Sequence, residues 1–378
     1  MAAALTGIAA CGPTNGLPEL NGEYAYVANA ADGSISVFSV NNGTGKLTLI
    51  QQIPVKPTFR VFGLALHWSN EFLYATIDDA SEVEEFDIGD GAYSGQIFAH
   101  NGPYAAHNGP RAVALNPKGT YLYATNYGGE AHDVSQYTVD QSSGVLTANG
   151  TAPAGNRPFG IAVDPGGNCV YVANTGDPSL SVYGITSNGT LSAGAKVSIG
   201  AFSEGPGPEL VAVQNNPGLD SRGQSVYVTD DNLGVVHQLP VVSGLIGIRC
   251  NPSAETTDIS AKGAAFGIAL HPKGTFLYTG NSSSNSISIF YVNSKGQLTL
   301  LALEAVNLND VLSIAIDRQG KFLYAANYGD STLAEFAINQ LNGLLVPIGK
   351  VATENPAVTS GPVTIVTTVG PQSVIHKL

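Results

Sequence analysis

One phrase recurs seven times along this chain, and the recurrence limits the fold more than any single residue does. Its clearest copy is Phe276-Leu-Tyr-Thr-Gly-Asn-Ser-Ser-Ser-Asn-Ser-Ile-Ser-Ile-Phe-Tyr-Val292. It reads as an apolar strand, a small polar turn and a second, alternating strand, the pattern of a β-hairpin. The copies centre on Tyr26, Tyr74, Tyr123, Tyr171, Tyr227, Tyr278 and Tyr324, with gaps of 48, 49, 48, 56, 51 and 46 residues. A period near fifty in an all-strand unit belongs to radially repeated sheets.

Later copies carry an extra strand in front, as in Phe159-Gly-Ile-Ala-Val-Asp-Pro165, Phe266-Gly-Ile-Ala-Leu-His-Pro272 and Leu312-Ser-Ile-Ala-Ile-Asp317. A full unit therefore has four strands: an inner one, the Tyr strand, the alternating strand and an outer one opening with Gly-X-Leu-Thr. The first copy lacks its inner strand, and the chain ends on an orphan of that type, Pro362-Val-Thr-Ile-Val-Thr-Thr-Val369. This predicts an all-β, seven-bladed β-propeller of four-stranded antiparallel blades. The C-terminal strand completes the N-terminal blade and removes the exposed sheet edges. Residues 1–20 read as a lead and 21–378 as one domain.

Charged residues make up 12% of the chain and the net charge is −13, with 45 glycines. Glycine-rich turns suit strand reversals. The acidic balance argues against nucleic acid and anionic membranes, because a phosphate binder needs a basic stripe to displace counterions. No run of 18 or more apolar residues predicts a transmembrane span. Near the start, Ile8-Ala9-Ala10-Cys11 resembles the end of a bacterial lipoprotein signal, which makes Cys11 a candidate lipidation site; a small-residue tail is the other reading. With the low charge it points to a periplasmic, outer-envelope or extracellular location, with a cytoplasmic one as the alternative. Cys169 and Cys250 are expected as unpaired core or loop thiols, a disulfide between them being the second reading.

Several phrases resemble the seven-bladed lactonase-type propellers, a family that includes 6-phosphogluconolactonase and carboxymuconate cyclase. They are Pro-X-Gly-X-X-Leu-Tyr-X-X-Asn from Pro117 to Asn126, and the turns Asn126-Tyr-Gly-Gly129 and Asn327-Tyr-Gly329. The resemblance runs from Gly22 to Gly370. Lactonase members also carry His-X-His ahead of Asp-Pro-X-Gly. Here Asp164-Pro165-Gly166-Gly167 and Asp177 keep the scaffold half, while Arg157 and Phe159 stand at the two histidine positions.

In a propeller the first residues of the inner strands surround the mouth of the central channel. Those positions hold Phe62, Arg111, Phe159, Glu209, Phe266, Leu312 and Val363. The expected function is a lactonase-like, non-catalytic propeller, exported or envelope-associated. It would bind a small molecule or a protein at a mouth formed by Phe62, Arg111, Arg157, Phe159, Glu209 and Phe266. The alternative is a lactone hydrolase, with Glu209 as general base, Arg111 facing the oxyanion and His107 assisting. As structure alone, Arg111 and Glu209 would form an ion pair or stand in solvent. His67 and His271 fill the turn slot that Asp164 and Asp317 fill elsewhere. His100, His132 and His237 share no ligand spacing with one another or with cysteine, so no metal and no cofactor is expected. Asp78-Asp79 and Asp230-Asp231 could at most offer oxygens to a hard cation.

Overall fold

The computed structural model describes residues 22–130, 132–192, 194–199, 207–214, 225–241, 250, 252, 256–353 and 361–368. Seven antiparallel sheets form the fold, and the inner strand of each contacts the inner strands of its two neighbours, closing a ring. Among the described residues helical structure is confined to two single 3₁₀ turns, Gly91–Tyr93 and Tyr328–Asp330. Among the described residues no helix is long and apolar enough to cross a membrane.

Blade 1 consists of Glu23–Asn29, Ser34–Val40, Leu47–Pro54 and the C-terminal strand Pro362–Thr367, which pairs antiparallel with Glu23–Asn29. The orphan strand thus sits where the repeat count requires it. The other inner strands are Val61–Leu66, Pro110–Leu115, Pro158–Val163, Pro208–Val213, Ala265–Leu270 and Val311–Ile316, in blades 2 to 7.

The apolar run of each Tyr strand follows from packing on both faces. All residues of Phe322–Asn327 and Cys169–Asn174 are buried, because neighbouring blades cover the sheet from either side. The seven repeated tyrosines are each 0% exposed, and a phenol so placed needs a partner. Tyr74, Tyr123, Tyr227 and Tyr278 donate to the carbonyls of Gly144, Gly189, Gly296 and Gly343 at 2.6–2.9 Å. Each acceptor lies in the turn that opens the next blade's outer strand. The repeated asparagine that ends the Tyr strand ties the hairpin: Asn29 Nδ2 donates to Ser34 and Ser36, and Asn174 and Asn281 repeat the arrangement.

Two features depart from the sequence expectation. Cys169 and Cys250 are joined by a disulfide across 81 residues. The Cys169–Asn174 strand of blade 4 packs against blade 5, and Cys250 falls beside it in a shared apolar cluster with Val197 and Val241. Adjacency across a blade interface leaves no trace in linear spacing. Blade 2 has five strands rather than four, its outer strand being split into Ile97–Ala99 and Tyr104–Ala105, both paired with Glu82–Ile88. Cys11 lies outside the described residues.

Candidate functional site at the channel mouth

Every inner strand breaks register with its Tyr strand at the same place. The shift falls at Phe62, Arg111, Phe159, Glu209, Phe266, Leu312 and Val363. A β-bulge bends the strand and re-aims one side chain; here seven bulges form the rim. Threonines lock three of them. Thr76 Oγ1 accepts the Gly63 amide at 2.7 Å and donates to the Arg111 carbonyl of the next blade at 2.6 Å. Thr125 and Thr229 do the same toward Phe159 and Phe266. The inner strands come so close that a Cβ on Gly160 would stand 2.2 Å from the Glu209 carbonyl, which explains the Phe-Gly-Ile spelling of these strands.

The rim encloses an axial cavity of about 140 Å³ lined chiefly by Phe62, Arg111, Phe159, Phe266, Leu312 and Val363. Phe159 meets Phe62 and Phe266 edge to face at 6.0 and 5.7 Å, a favoured geometry for aromatic pairs. Arg111 lies across this cluster, its guanidinium carbon 4.0 Å from the Phe62 centroid and 4.8 Å from that of Tyr127. Its Nη2 pairs with Asp78 Oδ2 at 3.2 Å, and Arg60 reaches the same oxygen at 2.6 Å. Arg111 Nε is buried with no hydrogen-bond partner among the described residues. Burial pulls the Arg111 pKa down and Asp78 pulls it back up; burial raises that of Asp78 against both arginines.

Glu209 takes its rim register but does not face the cavity, which Leu210 lines from that strand. Its side chain is buried and Oε2 has no partner among the described residues. Burial, then the charges of Asp231 and Asp230, push its pKa well up, and Arg111 opposes the rise. Arg111 and Glu209 therefore form neither of the expected arrangements: the arginine pairs with Asp78, and the glutamate is enclosed. His107 Nδ1 is hydrogen-bonded to Asp133 Oδ2 at 2.7 Å and the side chain is half exposed; it does not line the cavity. Arg157 is exposed and shares the Tyr127 ring with Arg111, at 5.8 Å.

His67 and His271 are turn residues as expected. His271 Nε2 meets the Gly320 carbonyl of the next blade at 3.0 Å, and burial holds its pKa down. Burial lowers that of His67 to about 4. Asp79 receives two bonds from the Arg60 guanidinium, so cations already meet the Asp78-Asp79 pair. His237 is fully buried between Asp230 and Asp258. The sequence reading missed two members of the mouth: Tyr127, visible only as part of an Asn-Tyr-Gly turn, and Asp78 as the arginine partner.

Fold and site together define a seven-bladed propeller with an aromatic, arginine-bearing axial cavity. Residues 93–230 and 246–360, the greater part of the chain, match the family described as "Lactonase, 7-bladed beta-propeller", and the chain belongs to that family. A 6-phosphogluconolactonase of Serratia proteamaculans is 26% identical over 149 residues, 38% of this chain and 44% of that relative. The aligned stretch thus spans less than half of the curated relative's length. Two solved structures share the fold. One is a putative 6-phosphogluconolactonase of Bacteroides fragilis, 18% identical over 92% of this chain and 99% of that one, with a TM-score of 0.75. The other is the periplasmic gluconolactonase of Pseudomonas aeruginosa, also 18% identical, with the same coverages and a TM-score of 0.73.

Proposed function

We propose that this propeller is a non-catalytic binding module whose axial cavity receives a compact, ring-shaped molecule carrying an oxygen acceptor, a sugar lactone or its open acid. The observation that carries the reading is the unpartnered Arg111 Nε–H, buried beside the stacked faces of Phe62, Phe159 and Tyr127. A ligand oxygen at that N–H would satisfy the donor, and the rings would cover an apolar ring face. Hydrolysis needs a base in contact with water at the reacting carbon. Glu209 is enclosed and its proton is held by burial, His107 is occupied by Asp133, and Arg157 and Phe159 stand where lactonase members carry histidines. The names of the relatives make gluconolactones, with and without a 6-phosphate, the natural probes.

We also place the protein outside the cytoplasm. The Cys169–Cys250 disulfide supports an oxidising compartment, and a lipid on Cys11 would hold the propeller at the envelope. Cell fractionation, with mass spectrometry of the N-terminal peptide, checks both points.

The functional test is calorimetric titration with glucono-1,5-lactone, gluconate and their 6-phosphates, run beside a hydrolysis assay. Saturable binding that Arg111→Met removes, without turnover above the buffer rate, is the expected result. Turnover at enzymatic rates that Glu209→Gln abolishes would replace this reading with the lactone hydrolase.

A further inference from the structure

We propose that Glu85, Asp87 and His100, at the outer edge of blade 2, form a binding site for a divalent transition-metal cation of the zinc or manganese class. Each offers one ligand atom, and these atoms lie within 4.8 Å of one another. Around a cation with bonds of about 2.0–2.2 Å, ligand atoms stand roughly 3–4.4 Å apart, so a shift of a few tenths of an ångström closes the site. Two carboxylates and an imidazole, without thiolate, suit these ions. His100 Nδ1 and Asp87 Oδ2 already meet at 2.5 Å, and a cation there displaces the proton between them. Both side chains are about two-fifths exposed, which leaves a path for entry.

The second observation concerns Glu85, whose side chain is 0% exposed and whose Oε1 has no hydrogen-bond partner among the described residues. The repeat shows what that position does elsewhere. Gln136, Gln238 and Glu335 occupy it in blades 3, 5 and 7. Each accepts the amide of the leucine opening the next blade's outer strand: Leu191, Leu298 and Leu47, at 2.6, 3.1 and 2.7 Å. In blade 2 the corresponding amide, that of Leu146, has the Tyr104 hydroxyl as its neighbour instead. That hydroxyl also donates to Glu85 Oε2 at 2.6 Å. Tyr104 belongs to the additional short strand found in this blade, and the break that makes room for it is where His100 sits. Two residues beyond Glu85, blade 2 carries Asp87, while blades 3, 5 and 7 carry Thr138, Pro240 and Ala337. The split strand, the relieved glutamate and the two exposed ligands occur together, which ordinary hairpin packing does not require. Linear spacing hides the set because a strand reversal separates Asp87 from His100.

The test uses chelator-treated full-length protein titrated with zinc chloride and manganese chloride, read by calorimetry and by thermal melting. One equivalent should bind to wild type and raise its melting temperature. Asp87→Asn and His100→Gln should weaken binding at least as much as the ~100-fold that loss of an outer-shell partner can cost. Melting of both variants without metal should match wild type, since neither residue is buried. A His132→Gln control should bind normally. Absence of saturable binding up to millimolar metal, wild-type affinity in both variants, or anomalous scattering that places the ion elsewhere would each overturn the proposal.

Discussion

The Tyr324 hydroxyl donates to the carbonyl of Gly45 at 3.0 Å across 279 residues of sequence. It is the contact that Tyr74, Tyr123, Tyr227 and Tyr278 make with the blade ahead, here made from blade 7 to blade 1, so it belongs to ring closure. Tyr324→Phe leaves that carbonyl buried and unpaired. A loss of about 1–3 kcal/mol is expected, measured by urea unfolding. Tyr26, whose hydroxyl has no partner among the described residues, supplies the contrast: Tyr26→Phe should leave stability unchanged or raise it slightly.

The Cys169–Cys250 bond closes a loop of 81 residues between blades 4 and 5. Such a loop restricts the unfolded chain strongly, and removing the link is expected to cost about 2–5 kcal/mol. Melting of the double Cys169→Ala/Cys250→Ala variant should fall accordingly, and adding dithiothreitol should lower the wild type toward it without affecting the variant.

Repetition made the architecture legible. Seven tyrosines in near-constant spacing give the blades, and the missing first inner strand together with the orphan Pro362–Thr367 gives the closure. The rim was legible for the same reason, since every bulge falls at an equivalent position. What escaped was pairing between blades. Asp78 meets Arg111 across 33 positions that differ for reasons of loop length, and Cys250 meets Cys169 from a blade whose copy is irregular. The orientation of Glu209 escaped as well. Alignment places it with Phe159, but its strand presents Leu210 to the cavity where the others present their rim residue.

Glu209 carries a clear pH dependence. Burial, reinforced by Asp231 and Asp230 and opposed by Arg111, raises its folded pKa above that of an unfolded glutamate. The native state therefore holds the proton more tightly than the unfolded chain does. Its stabilising contribution is complete below the unfolded value of about 4.3 and is lost as pH rises through the folded value. Glu209→Gln keeps the shape and removes the ionisation. It should be more stable than wild type at neutral pH, and the difference should shrink as pH falls toward the ordinary glutamate range. Urea unfolding of both proteins from pH 4 to 8 reads this; parallel curves would show that Glu209 ionises freely.

Asp78 faces both Arg60 and Arg111, so the two sides of this cluster should respond unequally. Asp78→Asn leaves a buried guanidinium without its counter-charge, and a loss of about 3–5 kcal/mol is expected. Arg111→Met keeps an apolar filling over Phe62 and leaves Asp78 paired with Arg60, so it should cost less than half as much. Thermal unfolding of the two variants compares them directly.

Removing residues from Pro362 onward should open the ring. Val363 and Ile365 leave the core, where they are 7% and 3% exposed, and Tyr24 loses its backbone partner Thr368, whose amide now donates to the Tyr24 carbonyl at 2.9 Å. Each buried aliphatic side chain is worth about 1.5–3 kcal/mol. The larger consequence is that Glu23–Asn29 becomes an unpaired edge between blades 7 and 2, which favours self-association. A lower and broader melting transition, with larger species in size-exclusion chromatography, is expected. A synthetic peptide spanning residues 361–369 should then restore the sharp transition by adding the missing strand back to the sheet. Unchanged melting of the truncated protein would mean that the ring does not depend on the strand its tail provides.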